Sequence, residues 1–144
     1  MKTSCFKYYT GDMGVAICIY PPLDWTGLRF PALAPERSAF YAIKNGSITH
    51  EEYEKLYKEN ILSQLDPHEI YNMFKNNVLL CWEEPGEFCH RRIVAEWLHE
   101  NLEVDVELTL PNPVAFKIKS LVLVLAQLLK DFVVEKAVNE LLSF

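Results

Sequence analysis

The chain has 144 residues, of which 50% are hydrophobic and 24% charged, and its formal net charge is -6 at pH 7. The length and the apolar content are typical of one globular domain and exclude a disordered chain. The acidic balance leaves no broad basic surface, so we expect no non-specific nucleic-acid binding.

The amino terminus and the cysteines together indicate the compartment. The opening segment MKTSCFKYYTGDMG contains no apolar run and no cleavage site of a secretory signal. We therefore expect a cytoplasmic protein, in which thiols stay reduced. Free thiols are then expected, rather than a disulfide framework, at Cys5, Cys18, Cys81 and Cys89.

The first element in chain order is a buried strand. Residues 14-GVAICIYPP-22 are almost all apolar between a glycine and two prolines, which predicts a strand over Val15–Tyr20 that is buried on both faces. The proline-rich segment 21–35 that follows is predicted to be an irregular loop. A loop of this length in a small domain is more often functional than idle.

Three helices are then predicted from their start and stop signals. The first, Glu36–Lys44, follows a proline and stops at an Asn-Gly pair. The second begins at Thr49, which has capping-box spacing to Glu52. The third begins at Asp66 as its N-cap, followed by a proline and by an acid in the first turn.

The second half of the domain continues the alternation of strands and helices. A buried strand is predicted over 78-VLLCW-82, a helix from about His90 to Asn101, and a strand at a sheet edge over 104-VDVEL-108. This alternation predicts an α/β fold, a layered α/β/α domain with a small, mostly parallel sheet over residues 1–110.

Residues 111–144 are predicted to be a helical extension. No glycine or proline occurs between Val114 and Leu142, and the apolar residues keep helical spacing. Polar residues interrupt the apolar run well before the roughly 20 residues that span a bilayer, so no membrane span is expected. The extension is predicted to be one helix or a helix pair that packs on the domain or on a partner chain. We expect a homodimer through residues 114–142.

The segment 81-CWEEPGEFCHRR-92 concentrates the residues that carry chemistry. Cys81 is expected at the carboxyl end of a buried strand, where ligands bind in open α/β sheets. Cys89, His90 and Arg91 are expected in the first turn of the next helix, whose free amides favour anions and lower a thiol pKa. Two chemistries fit: an anion held by Arg91, or nucleophilic attack by Cys89 with His90 as its base.

Structural and metal-binding explanations stand beside these two. Cys81 fits a small core residue as well as a functional one, and His90 fits a solvated position in a first turn. Zinc or iron would use the same donors, Cys81, Cys89 and His90. A C-x7-C-H spacing, however, has neighbouring side chains that rarely reach one ion. We therefore predict no metal and no other cofactor.

The segment 79-LLCWEEPGEFCHRRIVAEWL-98 also resembles the signature of a known family, the bacterial and phage proteins catalogued as domain of unknown function 488. The likeness continues upstream through 33-LAP-35, 45-NGSITHEEY-53 and 65-LDP-67 in the family's order, and it covers about residues 3–108. The family has no firmly assigned reaction.

The resemblance implies a compact α/β domain whose shared polar residues surround a Cys-His-Arg turn. In this chain those residues are Cys89, His90, Arg91, Cys81 and Glu83. The chain also departs from the family. Relatives usually carry an arginine at the end of the first core strand, where this chain has Ile19 and Tyr20. The ligand is then expected to differ from that of the relatives, or the activity to be lost.

Two functions from different classes follow. In the first, a small anionic, nucleotide-like ligand is bound or processed at the Cys-His-Arg turn, under the proline-rich loop. The predicted catalytic residues are Cys89 and His90, and the predicted ligand-binding residues are Arg91, Cys81, Glu83, Tyr20, Trp25 and Arg29. In the second, the turn is structural or binds a metal, and the C-terminal helix mediates assembly. The sequence leaves open whether the protein is an enzyme.

Overall fold

A computed structural model describes residues 1–109, which form a small α/β fold. In this part of the chain the five strands are β1 (Lys2–Cys5), β2 (Gly14–Ala16), β3 (Leu28–Arg29), β4 (Val78–Cys81) and β5 (Glu107–Leu108). The four α-helices are α1 (Arg37–Lys44), α2 (His50–Asn60), α3 (Pro67–Phe74) and α4 (His90–Leu102), and two short 3-10 helices span Pro31–Leu33 and Leu62–Gln64. Over the same residues, no helix is long and apolar enough to cross a membrane. The extension predicted over 111–144, with its helical segment 114–142, lies outside the described residues.

These strands all pair in parallel, in the order β3-β2-β4-β1-β5. The central strand β4 aligns Leu79 with Thr3 of β1 and with Val15 of β2. The predicted α/β fold with a parallel sheet is therefore confirmed. Strand β5 lies at the sheet edge, as predicted for residues 104–108, but it has only two residues, both exposed. An edge strand this short offers little backbone for pairing with another chain.

The first core strand is shorter than predicted, and two strands escape prediction. Within Val15–Tyr20, β2 ends at Ala16, although Ile17 N still donates to Leu80 O at 3.1 Å. Strand β1 has the sequence Lys-Thr-Ser-Cys, which lacks an apolar alternation, and it is buried because β4 and β5 flank it. Strand β3 lies inside the segment 21–35, where prolines and a glycine indicate a loop.

The helix starts are specified by local sequence. Thr49 Oγ1 accepts a hydrogen bond from Glu52 N at 3.2 Å, and Glu52 Oε2 accepts one from Thr49 N at 2.8 Å. Asp66 Oδ1 accepts from His68 N at 2.7 Å. Each cap satisfies amides that have no partner within the helix, and such a cap contributes about 1 kcal/mol. The predicted caps are confirmed, and they set where α2 and α3 begin.

One hydrophobic core joins the four helices to one face of the sheet. It contains Val15, Leu79, Ala39, Tyr53, Tyr57, Ile70, Phe74, Ile93, Val94 and Leu98. Aromatic loop residues cover the opposite face. A Cβ atom on Gly14 of β2 would lie 2.6 Å from the Tyr9 ring and 2.8 Å from the Trp25 ring, so this position has no room for a side chain. The site described next lies at the carboxyl end of β4, beside the start of α4.

Candidate functional site

A short loop brings two cysteines together at the carboxyl end of β4. Cys81 is the last residue of β4, and Cys89 is the N-cap of α4, one residue before the first turn in which the sequence places it. Gly86 in this loop has φ 93°, a left-handed conformation that favours glycine. Together with Cys18, these cysteines form a buried group, called the thiol cluster below.

Glu83 hydrogen-bonds both thiols of the loop. Its Oε2 accepts from Cys81 Sγ at 2.9 Å and from Cys89 Sγ at 3.3 Å. Its Oε1 lies 3.4 Å from Lys44 Nζ. Burial alone would raise the pKa of this carboxyl, but the thiol donors, a backbone donor and Lys44 together lower it to about 2. Glu83 is therefore a carboxylate at neutral pH.

His90 presents one ring nitrogen to the thiols. Its Nε2 lies 2.9 Å from the carbonyl oxygen of Ile17, and because a carbonyl only accepts, Nε2 carries a hydrogen. Nδ1 then faces the sulfurs, 3.8 Å from Cys81 Sγ and 3.9 Å from Cys89 Sγ. Burial lowers the pKa of His90, but the hydrogen bond and the charge of Cys89 outweigh burial, so that the pKa is raised. The buried imidazole therefore holds a proton readily next to Cys89.

Arg91 supports the loop and the sulfur of Cys89. Only 4% of the residue is exposed. Its Nε donates to Cys89 Sγ at 3.2 Å, and one terminal nitrogen donates to the carbonyl oxygen of Glu83. The other terminal nitrogen is buried without a hydrogen-bond partner among residues 1–109. Arg91 lines a second cavity, of about 590 Å³, rather than the cavity above the thiols.

The two thiols of the loop differ in acidity. The pKa of Cys89 lies well below its ordinary value, chiefly because of its interaction with the neighbouring Cys81 thiol, with further contributions from His90 and Arg91. The pKa of Cys81 is raised, chiefly by its interactions with the Cys18 and Cys89 thiols and by burial, so Cys81 keeps its proton. The sequence predicts this direction for Cys89 from the helix start and its basic neighbours. The main cause in the structure is instead the neighbouring thiol.

A cavity of about 490 Å³ opens above the thiol cluster. Cys81, Cys89 and His90 lie at its base, which we call the cavity floor. The cavity walls include the side chains of Tyr20, Phe40, Lys44, Tyr53, Trp82 and Glu83. The lining thus combines aromatic rings with the ammonium group of Lys44 and the carboxylates of Glu83 and Glu87, and the buried thiols are accessible from the cavity.

The predicted loop residues are not all brought to this cavity. Tyr20 lines it and is half exposed. Trp25 packs on the opposite face of the sheet, where its ring lies 5.3 Å from the Phe6 ring. Arg29 belongs to β3, and its guanidinium donates to the carbonyl oxygen of Ile19 at 3.4 Å. The connection from β2 to β3 lines the cavity only as far as Tyr20 and then places Trp25 against Gly14 on the opposite face, so Trp25 does not line the cavity.

Residues of α1 and α2 also line the cavity, although the sequence does not mark them as site residues. Tyr53 falls in an apolar stripe that reads as core, and it is buried, yet it lines the cavity. Its ring packs edge-on against Phe88, and Phe88 stacks on His50 with the ring centroids 4.0 Å apart. Lys44, the last residue of α1, is the wall cation. One sequence feature could have identified His50 and Tyr53 as site residues: both lie in 45-NGSITHEEY-53, a segment that resembles the family.

Three potential metal ligands converge at the cavity floor. The ligand atoms of Cys81, Cys89 and His90 lie within 4.8 Å of one another. The sequence argument against a shared ion assumes that the adjacent side chains 89 and 90 diverge. Cys89, however, has an extended backbone (φ -154°, ψ 141°) whereas His90 begins the helix, and this change of backbone directs both side chains to one place. Two sulfurs and an imidazole form a donor set that zinc uses.

Comparison with known proteins identifies the family. A family model for DUF488-N3a, described as the active DUF488-N3 subclade, matches residues 15–102, more than half of the 144-residue chain. No curated protein and no solved structure matches the chain. The matched segment runs from β2 to the end of α4 and contains every residue of the thiol cluster together with Glu83, His90 and Arg91. The chain therefore belongs to the DUF488-N3a family, within the domain of unknown function 488 that its signature resembles.

Proposed function

We propose that this protein binds a small ligand in the cavity above the thiol cluster and processes it at the cavity floor. The observation that carries the proposal is that a buried group of thiols, imidazole and carboxylate opens onto a cavity of about 490 Å³. The cavity lies at the carboxyl end of β4, the position at which open parallel sheets bind ligands. Titratable groups with perturbed pKa values in a cleft are typical of functional sites.

In this proposal Cys89 is the nucleophile and His90 carries the proton. The pKa of Cys89 is lowered, and His90 Nδ1 lies 3.9 Å from its sulfur. Attack forms a bond between Sγ of Cys89 and an electrophilic carbon of the ligand. The group that leaves this carbon takes the proton held by His90. Arg91 Nε, 3.2 Å from the sulfur, keeps Sγ in place.

The cavity walls favour a planar ligand that carries an anionic group. Tyr20 and Trp82 are 48% and 52% exposed and line the cavity together with Phe40, so a flat ring can stack there. Lys44 supplies an ammonium group, whose pair with Glu83 at 3.4 Å is open to solvent on the lysine side. In this proposal Lys44, rather than Arg91 as the sequence predicts, binds the anionic group of the ligand. A nucleotide-like ligand combines a planar ring with such a negative charge.

Thermal shift with a library of nucleotides and with inorganic phosphate tests this proposal. A ligand that binds only the folded state raises the melting temperature. Lys44→Ala should weaken the response to anionic ligands, whereas the matched variant Lys55→Ala should respond like wild type, because Lys55 is an exposed residue on α2. Intact-mass measurement should find a covalent adduct in wild type and none in Cys89→Ser. The absence of stabilisation by any library member would contradict the proposal.

A structural role for the Cys-His-Arg turn is the second candidate, and the burial of Arg91 favours it. In that case the guanidinium ties the carbonyl of Glu83 and the sulfur of Cys89 to the start of α4, and the functional surface lies elsewhere. Cys89→Ser separates the two candidates. The structural role predicts a loss of about 1–3 kcal/mol in the free energy of unfolding. The catalytic role predicts little loss of stability together with the loss of the adduct.

A further inference from the structure

We propose that Cys81, Cys89 and His90 bind a thiophilic divalent cation of the zinc type, with the Glu83 carboxylate at the fourth position. The three ligand atoms lie within 4.8 Å of one another and belong to buried residues. The site rests on these donors alone. A cation there takes up the sulfur of Cys89, so the site is an alternative to nucleophilic attack by Cys89 and shares with the proposed function only the cavity above the thiols.

The distances from the imidazole of His90 to the two sulfurs match a tetrahedral zinc site. With Zn–S of about 2.3 Å and Zn–N of about 2.0–2.1 Å, tetrahedral angles separate a sulfur from a nitrogen ligand by about 3.6 Å. His90 Nδ1 lies 3.8 Å from Cys81 Sγ and 3.9 Å from Cys89 Sγ. The two sulfur–nitrogen separations therefore exceed those of a tetrahedral zinc site by only a few tenths of an ångström.

Glu83 fits the fourth position from the cavity side. Its Oε2 is 2.9 Å from Cys81 Sγ and 3.3 Å from Cys89 Sγ, shorter than the separation of about 3.6 Å between sulfur and oxygen ligands of one zinc ion. The entering ion replaces the two S–H···O hydrogen bonds and moves the carboxylate outward. Because Glu83 also lines the cavity, this ligand is the one that a bound small molecule can displace.

The hydrogen bond of His90 to the backbone prepares the imidazole for a metal. A histidine that binds a metal ion through one ring nitrogen almost always donates the N–H of its other ring nitrogen to a carbonyl or a carboxylate. This hydrogen bond fixes the orientation of the ring and its tautomer. His90 Nε2 makes this donation to the Ile17 carbonyl oxygen at 2.9 Å, and it leaves Nδ1 for the ion. Arg91 Nε, 3.2 Å from Cys89 Sγ, adds a positive charge beside one thiolate.

Binding is a proton exchange without electron transfer. Cys81 and Cys89 coordinate as thiolates and His90 through an unprotonated Nδ1, so each of these groups that is protonated before binding releases its proton to solvent when the cation enters. The two thiolates and the Glu83 carboxylate exceed the charge of a divalent cation by one unit, and the guanidinium of Arg91 offsets that unit. No oxidant or reductant takes part.

Cobalt titration of the reduced full-length chain tests the site directly. Co2+ should give thiolate-to-cobalt charge-transfer absorption and the visible bands of a tetrahedral centre, saturating at one ion per chain, and Zn2+ should displace it. Cys81→Ser and Cys89→Ser should each weaken cobalt binding by about 10-fold or more. Cys5→Ser is the matched control, since Cys5 is equally buried and aligned with Cys81 in the neighbouring strand but lies outside the donor group. Circular dichroism verifies that each variant is folded.

If the serine variants fail to fold, melting temperatures of the wild-type protein still test the metal site. Zn2+ should raise the melting temperature of the reduced chain, and Mg2+ should leave it unchanged, because magnesium avoids thiolate ligands. The inference is overturned if saturating cobalt produces no charge-transfer absorption in wild type, or if Cys5→Ser loses the absorption as Cys81→Ser does. Ligand-induced thermal shifts measured after chelation test the cavity separately. A failed metal site with intact ligand binding therefore leaves the proposed function standing, and the reverse result leaves the metal site standing.

Discussion

Arg91→Lys tests how strongly a buried guanidinium stabilises the loop before α4. The change keeps the positive charge but removes the planar fork of donors. Arg91 donates from Nε to Cys89 Sγ at 3.2 Å and from a terminal nitrogen to the Glu83 carbonyl. A lysine ammonium has a single nitrogen, and we expect it to reach one of these acceptors and to leave the other buried without a donor.

The magnitude follows from the lost contact. A hydrogen bond that involves a charged group contributes about 1.5–3 kcal/mol, and a buried acceptor that loses its donor costs about 1–3 kcal/mol. The other terminal nitrogen of Arg91 is already without a partner among the described residues, so its removal adds no penalty. We expect Arg91→Lys to lower the free energy of unfolding by about 2–3 kcal/mol.

Arg92→Lys is the matched control, since Arg92 is the next residue but its side chain is 57% exposed. It pairs with Glu54 at 3.9 Å and with Glu96 at 3.4 Å. Exposed ion pairs contribute little, so the control should stay within about 0.5 kcal/mol of wild type. Urea unfolding followed by circular dichroism measures both variants. If Arg91→Lys is no more destabilised than Arg92→Lys, the argument that the guanidinium holds the loop is wrong.

Three further predictions follow from other parts of the chain. In reduced, chelator-treated protein at neutral pH, iodoacetamide should label Cys89 faster than Cys81, and peptide mass mapping that finds equal rates would contradict the assigned acidities. Tyr57→Phe should lower the free energy of unfolding by about 1–3 kcal/mol, because the Leu33 carbonyl loses its buried hydroxyl donor at 2.6 Å; a urea midpoint equal to that of wild type would refute this. The sequence also predicts that the full chain is a dimer and that a chain ending at Asn112 is a folded monomer, which light scattering checks; a monomeric full chain refutes the dimer.

The predictable part of the fold is the part with local signals. Thr49 and Asp66 make the predicted caps because capping needs only a side chain and an amide within the next three residues. Strand β4 and helix α4 are found where a buried apolar run and a helical stripe place them. Their junction, and with it the position of the Cys-His-Arg turn in the fold, is therefore predictable from sequence.

The parts that escape prediction depend on contacts between distant segments. Strand β1 is a strand because β4 and β5 flank it, and its four residues carry no pattern of their own. The path of the β2–β3 connection over the far face of the sheet determines that Trp25 packs on Phe6 rather than over the thiols. Tyr53 keeps helical spacing whether it packs in the core or lines a cavity. Periodicity therefore does not distinguish these two roles.

The chemistry of the site depends on one such distant contact. The Ile17 carbonyl oxygen, 73 positions before His90, takes the Nε2 hydrogen and leaves Nδ1 as the only ring atom that can serve the thiols. Nucleophilic attack by Cys89 needs that nitrogen to hold a proton, whereas a zinc-type cation needs it without one. One atom cannot meet both demands at once, so a bound cation and a reactive Cys89 exclude each other in any one molecule. Alkylation of Cys89 should therefore slow in proportion to cobalt occupancy, and alkylation that proceeds at an undiminished rate in the cobalt-saturated protein would show that the ion does not use these donors.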